Sequence, residues 1–460
     1  MKTKITILIA FLFLSFNVSF AQDNAECITK LSVFHEFAKS KNYNAAYEPW
    51  SEVRSKCPNL NLAIYTDGEK ILKDKLKTAT GTEKTALIND LVSLWEKRAE
   101  LYPTKTKKGE FAAKSCQLKF DNKDLLGLKD AELYDCFDAA YQSDEATFTS
   151  PKSLYAYFSL MVNLFDAGAK PAKEMFTKYD EIVEKVEKEV DKSSAKLNEL
   201  VAKEESGAVL GKKELRYKSF YSRYLKNYAK ISKSIDKKLG DRANCENLIP
   251  LYERDFAANS TNVLWLKRVV SKLYKKGCTD TPLYEKVVKA FDQTEPSADT
   301  KYFVATLLIK KGKTQEAESY LNQSYDLQTD PYKKGKLAYR IGKTLRKKGK
   351  LSQARIYFRD AVKLNPSNGR PHLDIAAMYA RSAKNCGDTN FNKRAVYWLA
   401  AQEAQKASRV DPTLSKIAAQ TATSYRAKAP SKSEIFSQSA TGKTIKIGCW
   451  IGASVTVPSL

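Results

Sequence analysis

The stretch that decides the fold is GKLAYRIGKTLRKKGKLSQARIYFRDAVKLNP, residues 335–366. Apolar and small residues recur in it at steps of three and four, in two successive blocks. They are Ala338, Ile341, Gly342, Leu345, Ala354, Phe358 and Ala361. The small Gly342 and Ala354 allow two helices to approach closely, and Pro366 ends the second helix. The pattern predicts an antiparallel helix pair that needs neighbours to cover its apolar faces.

Similar blocks occur elsewhere in the chain. They are residues 27–58, 303–324 and 370–412, with weaker copies around 68–103 and 265–296. The third block fits only if the polar stretch RSAKNCGDTNFNKR, residues 381–394, is an insertion. The offsets of Gly, Ala, Phe and Pro resemble the tetratricopeptide repeat (TPR), a helical pair of 34 residues. The resemblance implies an all-α, TPR-like α-solenoid whose inner groove is lined by first-helix residues, and a scaffold function rather than a particular chemistry.

Two segments depart from the repeat pattern. Residues 172–205 form one long, highly charged, coiled-coil-like helical stretch, which SGAVLG at 206–211 breaks. A second helical stretch follows, with an apolar stripe of Leu215, Phe220, Tyr221, Tyr224, Tyr228, Ile231 and Ile235. We interpret the two as a long helical hairpin insertion, for which a projection beyond the solenoid is one arrangement. The Tyr-rich stripe fits internal packing better than a contact surface. The last residues, with TIKIGCWI and ASVTVP, predict a short β-like C-terminal tail.

The predicted domain organisation follows from these segments. It is a signal peptide at 1–21, an N-terminal TPR-like helical domain at 22–165, the hairpin at 166–240, a C-terminal TPR domain at 241–428 and a disulfide-anchored tail at 429–460.

The N-terminus and the net charge indicate the compartment. Lys2 and Lys4 precede an apolar run, and Ser19 and Ala21 are small residues before a cleavage at Gln22. We therefore expect export to the periplasm, with the outer membrane or the extracellular space as alternatives, and not an integral membrane protein. The net charge of +25 favours acidic partners or anionic surfaces, although a solvated Lys-rich surface explains it equally well. Nucleic acid is not an expected partner, because we expect the chain to be exported and its sequence contains no recognisable nucleic-acid-binding module.

The eight cysteines predict disulfides in an exported chain, but their number alone permits 105 connectivities. The repeat frame narrows the choice, because the start of one helix and the end of its antiparallel neighbour lie together. The pairs that this frame favours are Cys27–Cys57 and Cys245–Cys278. Cys116 and Cys136 flank a short loop-and-helix segment and should pair, which leaves Cys386 with Cys449.

Catalytic and metal-binding patterns are missing from the sequence. There is no C-x-x-C pair, no Gly-rich phosphate loop and no H-E-x-x-H, and the chain has only two histidines, His35 and His372. We therefore expect no enzyme, no metal site and no cofactor, and we interpret His35 as a surface or groove residue.

The groove positions implied by the TPR resemblance are strongly basic. They are Lys310, Lys336, Tyr339, Lys343, Arg346, Lys347, Arg370 and Arg381, with Tyr302, Thr306 and Leu373 at neighbouring offsets. Such a groove suits an acidic segment or a terminal carboxylate of a protein partner in the cell envelope. The sequence therefore predicts an exported interaction scaffold or adaptor that binds its partner through a basic TPR groove. The alternative is a charge-driven binder of peptidoglycan or another anionic glycan.

Overall fold

The structure is a computed structural model that describes residues 25–459, and it is helical almost throughout. The predicted signal peptide therefore lies outside the described residues. The chain forms two compact units, one ending at Lys178 and the other beginning at Tyr179. This boundary falls inside a helix, Ala172–Glu205. In the described part of the chain, no helix is both long enough and apolar enough to cross a bilayer.

The first unit is a series of helical hairpins. Its helices are α1 (residues 25–39), α2 (Tyr43–Lys56), α3 (Ala63–Lys75), α4 (Gly81–Leu101), α5 (Lys108–Asp121), α6 (Lys123–Leu126), α7 (Asp130–Ser143) and α8 (Pro151–Asp166). Trp50 lies at the centre of its first core, where its indole N–H donates to the Ile64 carbonyl at 2.6 Å. A Cβ at Gly68 would lie 2.5 Å from the indole nitrogen, so only glycine allows this close contact.

The second unit begins within a long helix and continues as helical pairs. Its helices are α9 (Ala172–Glu205), α10 (Lys212–Leu239), α11 (Cys245–Asn259), α12 (Val263–Lys276), α13 (Pro282–Thr294), α14 (Ala298–Lys310), α15 (Thr314–Leu327), α16 (Pro331–Lys347), α17 (Leu351–Leu364), α18 (Arg370–Ser382), α19 (Asn390–Val410), α20 (Ser415–Lys428) and α21 (Lys432–Ser437). The all-α, TPR-like α-solenoid predicted from the sequence is confirmed, and so are the hairpin insertion and the β-like tail.

The pair α16–α17 has the packing that the sequence predicts. Gly342 on α16 faces Phe358 and Ala354 on α17, and a Cβ at Gly342 would lie 2.7 Å from the Phe358 ring. Phe358 and Ala354 are fully buried. The close packing of α16 on α17 therefore depends on a small residue, Gly342, opposite a large ring, Phe358. The spacing of these two residue types in the sequence is what identifies the helix pair.

The long hairpin of α9 and α10 does not project away from the repeats of its unit. Leu197 and Val201 of α9 pack with Leu225 of α10 and with Val410, the last residue of α19. We call these four residues the hairpin cluster. Polar contacts described below extend the same association along α9, so the inner face of the hairpin is covered by the repeats.

The four disulfides are Cys27–Cys57, Cys116–Cys136, Cys245–Cys278 and Cys386–Cys449. These are the four pairs that we predict from the sequence. Cys386 lies in the insertion between α18 and α19, and Cys449 lies between β1 (Thr444–Ile447) and β2 (Ala453–Thr456), which pair antiparallel. Beside the disulfide, the Trp450 indole N–H donates to Ser382 Oγ at 2.9 Å. The insertion therefore attaches the tail to the last repeat of this unit.

Candidate functional site

Helix α9 contacts three successive repeats, within two turns of the loops that join them, through residues spaced seven apart. The pairs are Asp191 with Lys336, Asn198 with Ser367, and Glu205 with Arg409. Seven helical residues rise about 10 Å, so each step of α9 corresponds to one repeat. The contacts lie close to Asp330–Pro331, Asn365–Pro366 and Asp411–Pro412, where the chain passes from one helical pair to the next.

The central contact of this series is a polar network around Asn198. Its Oδ1 accepts from the Ser367 backbone N–H at 2.9 Å and from Ser367 Oγ at 2.6 Å. Its Nδ2 donates to Asn365 Oδ1 at 3.3 Å, and Asn365 Nδ2 donates to the Tyr332 carbonyl at 2.9 Å. Asn365 and Ser367 are buried, so these bonds satisfy groups that have little access to water.

The first turns of α9 in this unit make ion pairs with α12. The pairs are Asp180–Lys272, Glu184–Arg268 and Glu187–Lys275. Lys272 is only 4% exposed, and its ammonium lies 2.9 Å from Asp180. Burial lowers the pKa of Lys272 and raises the pKa of Asp180, while each charge favours the ionised form of the other. α9 is therefore held on α12 by an ion pair whose lysine is buried and whose aspartate side chain is 15% exposed.

Several of the predicted groove cations already have carboxylate partners within the chain. Lys336 donates to Asp191 of α9, and Lys310 donates to Asp280, in each case at 2.9 Å. Arg346 of α16 donates to Asp374 of α18. These pairs show that the basic positions of the repeats accept acidic groups, and that part of their charge is neutralised internally.

Asp374 brings three of the predicted residues together. Besides the contact with Arg346, burial and then the nearby Asp374 carboxylate raise the pKa of Tyr339, while Arg370 opposes that rise. Tyr339 and Arg346 lie on α16, and Arg370 lies on α18. The two helices therefore present one continuous polar face.

Four predicted cations on these two helices remain exposed. They are Lys343, Lys347, Arg370 and Arg381, and none of them forms an ion pair with another residue in the described range. We define the α16–α18 face as these four residues together with Tyr339 and Arg346. It carries more positive charge than its single carboxylate, Asp374, can balance.

Two residues of α14 that the TPR pattern assigns to the groove are buried instead. Tyr302 and Thr306 of α14, expected at the groove, are 1% and 7% exposed. The Tyr302 hydroxyl bonds with Tyr274 and Thr344, and Thr306 bonds with the Tyr284 hydroxyl. The hydroxyl groups join neighbouring helices, so these residues belong to the core and not to a binding surface.

The two histidines both bond to carboxylates. His35 Nδ1 lies 2.7 Å from Asp67 and is half-exposed. His372 is buried, and its Nδ1 lies 2.6 Å from Glu403, which also accepts two hydrogen bonds from Arg359. Burial alone would raise the pKa of Glu403, but the bonds from His372 and Arg359 outweigh it and lower this pKa to about 2. This cluster joins three helices, and no cluster of possible metal ligands occurs within residues 25–459.

The Tyr-rich stripe of α10 divides into two parts. Tyr228 and Ile235 are buried, which agrees with internal packing. Leu215 and Phe220, nearer the start of the helix, are 51% and 47% exposed. The second half of the stripe is therefore core, whereas the first half is surface.

Sequence reasoning missed α9 as a partner of the repeats. The helix was recognised as charged, but the residues it contacts lie 84 to 204 positions further along the chain. The available signal was the agreement between the seven-residue step of Asp191, Asn198 and Glu205 and the three Pro-containing loops. The seven-residue step can be matched to the loops only when the distance between successive repeats is known.

Comparison with known proteins identifies the repeat. The family model for the tetratricopeptide repeat matches residues 335–368. No curated protein matches the sequence.

Solved structures with low similarity include the human IFIT1 dimer with PPP-AAAA, at 12% identity and a TM-score of 0.27 over 88% of this chain and 94% of that chain. Yeast Tom70 has 11% identity and a TM-score of 0.32 over 87% and 89%. The APC/C hetero-tetramer Cut9–Hcn1 has 13% identity and a TM-score of 0.25 over 86% and 77%. None of these values supports a functional argument, so the assignment rests on the family model and on the packing of α16 against α17.

The matched residues begin at Gly335 in α16 and end just before α18, so they span the helical pair whose packing is described above. Repeats of this kind serve as scaffolds for protein–protein interaction and are typically non-catalytic. The chain therefore contains a tetratricopeptide repeat within an all-α, TPR-like α-solenoid, a fold suited to holding protein partners.

Proposed function

We propose that the protein is an exported interaction scaffold of the bacterial cell envelope, which binds an acidic segment of a protein partner on the α16–α18 face. The observation that supports this most is the contact between Lys336 and Asp191. Lys336 lies one turn before Tyr339 on α16, so the edge of the face already holds a carboxylate presented by a helix of the same chain.

The composition of the face favours an acidic partner over a neutral one. Lys343, Lys347 and Arg381 are exposed cations with no ion pair to another described residue. Arg370 and Arg346 lie beside them and can donate charge-assisted hydrogen bonds. Carboxylates of an Asp/Glu-rich segment, or a terminal carboxylate, would balance this charge without displacing α9.

Export is proposed from the apolar N-terminal segment and is supported by the disulfides. Four disulfides are consistent with a non-cytoplasmic protein, because they persist in oxidising compartments. The periplasm is the compartment we favour, with attachment to the outer membrane or release from the cell as alternatives. Non-reducing peptide mapping of protein isolated from its native cell tests this, since free thiols in all four pairs would contradict it.

The binding proposal is tested with a charge-reversed variant, Lys343→Glu, Lys347→Glu and Arg381→Glu. Arg346 is left intact because its reversal would place a carboxylate against Asp374 and disturb folding. The probe is a fluorescent peptide of alternating Glu and Ala with a free terminal carboxylate. If each exposed cation contributes about 0.5 kcal/mol, the variant binds about tenfold more weakly.

A control variant carries the same change in net charge at another site. Lys363→Glu, Lys416→Glu and Lys432→Glu also reverse three exposed lysines, which lie on α17, α20 and α21 and not on α16 or α18. We expect the control variant to bind the Glu peptide as tightly as the unchanged protein does. A copy of the peptide with Gln in place of Glu should bind weakly to the unchanged protein and to both variants. Equal binding of the peptide to the face variant and the control would contradict the proposal.

A further inference from the structure

The first half of α10 carries a cationic and aromatic surface that the hairpin does not use. Lys213, Arg216, Tyr217, Phe220 and Arg223 recur at three- and four-residue steps and therefore share one side of the helix. We call these five residues the α10 face. Together with Ser219 and Tyr221 they line a shallow depression of about 640 Å³, and all its described lining residues belong to α10.

The charge of this face is not balanced by neighbouring acids. Residues 212–226 contain six cations and one carboxylate, Glu214. Glu214 is engaged elsewhere, because it accepts from the Gly211 backbone N–H at 2.8 Å and from Lys203 at 2.6 Å. Lys218 pairs with Glu204. Lys213, Arg216 and Arg223 are exposed and form no ion pair with any residue that the structure describes.

Apolar side chains at the same end of the hairpin are exposed to water. Tyr217 and Phe220 are each 47% exposed, Leu215 is 51% exposed, and Val209 in the connecting loop is 92% exposed. The rings of Phe220 and Tyr224 are stacked at 5.7 Å, which orders the aromatic part of the surface. Ordered apolar groups left in water beside unbalanced cations indicate a binding surface rather than a solvated face.

A flat anionic surface fits this arrangement better than a peptide. A peptide groove needs a second wall, whereas the described lining comes from one helix, and a bilayer can meet a single helix face directly. At such an interface, Lys and Arg extend to lipid phosphates while Tyr and Phe rings lie at the boundary between headgroups and acyl chains.

We propose that the α10 face docks the protein on an anionic phospholipid bilayer, with Lys213, Arg216 and Arg223 on lipid phosphates and with Tyr217 and Phe220 in the interface. The contact is peripheral and reversible, because a single helix face with a few apolar groups binds a bilayer without crossing it. This inference goes beyond the proposed scaffold function and does not depend on the α16–α18 face.

The test measures co-sedimentation of the purified protein with vesicles of phosphatidylcholine, with and without phosphatidylglycerol. We expect binding only to the anionic vesicles, and weaker binding at high salt. The variant Lys213→Glu, Arg216→Glu and Arg223→Glu should bind at least about a hundredfold more weakly, since each cation near an anionic surface contributes to the affinity. The control is again Lys363→Glu, Lys416→Glu and Lys432→Glu, which should bind like the unchanged protein.

A second variant reports on the aromatic part of the surface. Phe220→Trp places a fluorophore at the interface, and its emission should shift to shorter wavelength and be quenched by brominated acyl chains, relative to the unchanged protein. Equal sedimentation of the charge-reversed variant and the control, or emission of the introduced indole that vesicles leave unchanged, would overturn the proposal.

Two further outcomes separate the two proposals. The charge-reversed variant of the α16–α18 face should bind anionic vesicles as well as the unchanged protein does. A negative result with the acidic peptide would therefore not account for a negative result with vesicles. If the protein ignores anionic vesicles but binds the Glu-rich peptide through Arg216 and Arg223, the α10 face is a protein-binding surface and the lipid proposal is wrong. Circular dichroism of each variant checks that the helices are retained.

Discussion

The disulfide between Cys386 and Cys449 should stabilise the end of the second unit strongly. It closes a loop of 63 residues that contains α19, α20 and α21. In the chain-entropy description, a loop of this length lowers the entropy of the unfolded chain enough to contribute about 4 kcal/mol to the free energy of unfolding. The double variant Cys386→Ala and Cys449→Ala should therefore lose about this amount.

The tail should nevertheless remain docked in that variant, because other contacts hold it. The Trp450 ring packs on Tyr379 at 5.6 Å, and its indole N–H donates to Ser382. The Arg355 guanidinium donates to the Ile451 carbonyl and lies 5.4 Å from the Trp450 ring. We expect a folded tail with faster opening, and not a detached one.

Hydrogen exchange of the β1 and β2 amides is the assay that separates these outcomes. For amides that exchange only when this segment opens, a loss of about 4 kcal/mol corresponds to about a thousandfold faster exchange. The control variant Cys116→Ala and Cys136→Ala removes a disulfide from the first unit and should leave exchange in the strands unchanged. Strand amides that exchange as slowly in the Cys386→Ala and Cys449→Ala variant as in the unchanged protein would refute the reasoning.

Three further substitutions test buried contacts in the repeats. The pKa of Glu403 is about 2 in the folded chain, below the ordinary 4.5, so its ionised form contributes about 3 kcal/mol to the free energy of unfolding. This contribution is complete above pH 4.5 and is lost as the pH falls towards 2. In acid titrations, Glu403→Gln should therefore make the free energy of unfolding less dependent on pH over that range. Asn198→Ala leaves the Ser367 donors unpaired, and urea unfolding should show a loss of about 1–3 kcal/mol, with none expected for Lys196→Ala on the exposed side of α9. Gly342→Ala places a methyl group against Phe358, which should cost about 1–3 kcal/mol in thermal unfolding, and an unchanged midpoint would contradict the packing argument.

The parts of the fold that were predicted from the sequence depend on local spacing. Gly342, Phe358 and Pro366 lie within one repeat, so their offsets define the pair without reference to the rest of the chain. The cysteines are informative for a similar reason, because Cys27 begins the first helix of one antiparallel pair and Cys57 follows the second, which brings the two together. In both cases the information lies within a few tens of residues.

The parts that were not predicted depend on distant contacts. Tyr302 has the offset of a groove residue, but its hydroxyl bonds with Tyr274 and Thr344 and so it is buried. The repeat frame gives the side of the helix on which a residue lies, but it does not say whether another helix covers that side. α9 shows the same limit, since its pattern of charges identifies a helix but not its partner, which is the buried Lys272 of α12 for Asp180.

The way in which α9 is held also determines how salt experiments should be interpreted. The pairs Asp191–Lys336 and Glu205–Arg409 are largely exposed, so each contributes at most about 1 kcal/mol and is screened by salt. The bonds of Asn198 and the apolar hairpin cluster are not ionic, and they lie at the centre of the contact. High salt should therefore leave α9 docked while it weakens binding at the unpaired cations of the α16–α18 face and the α10 face. Loss of a ligand in salt thus reports on those two surfaces and not on release of the hairpin.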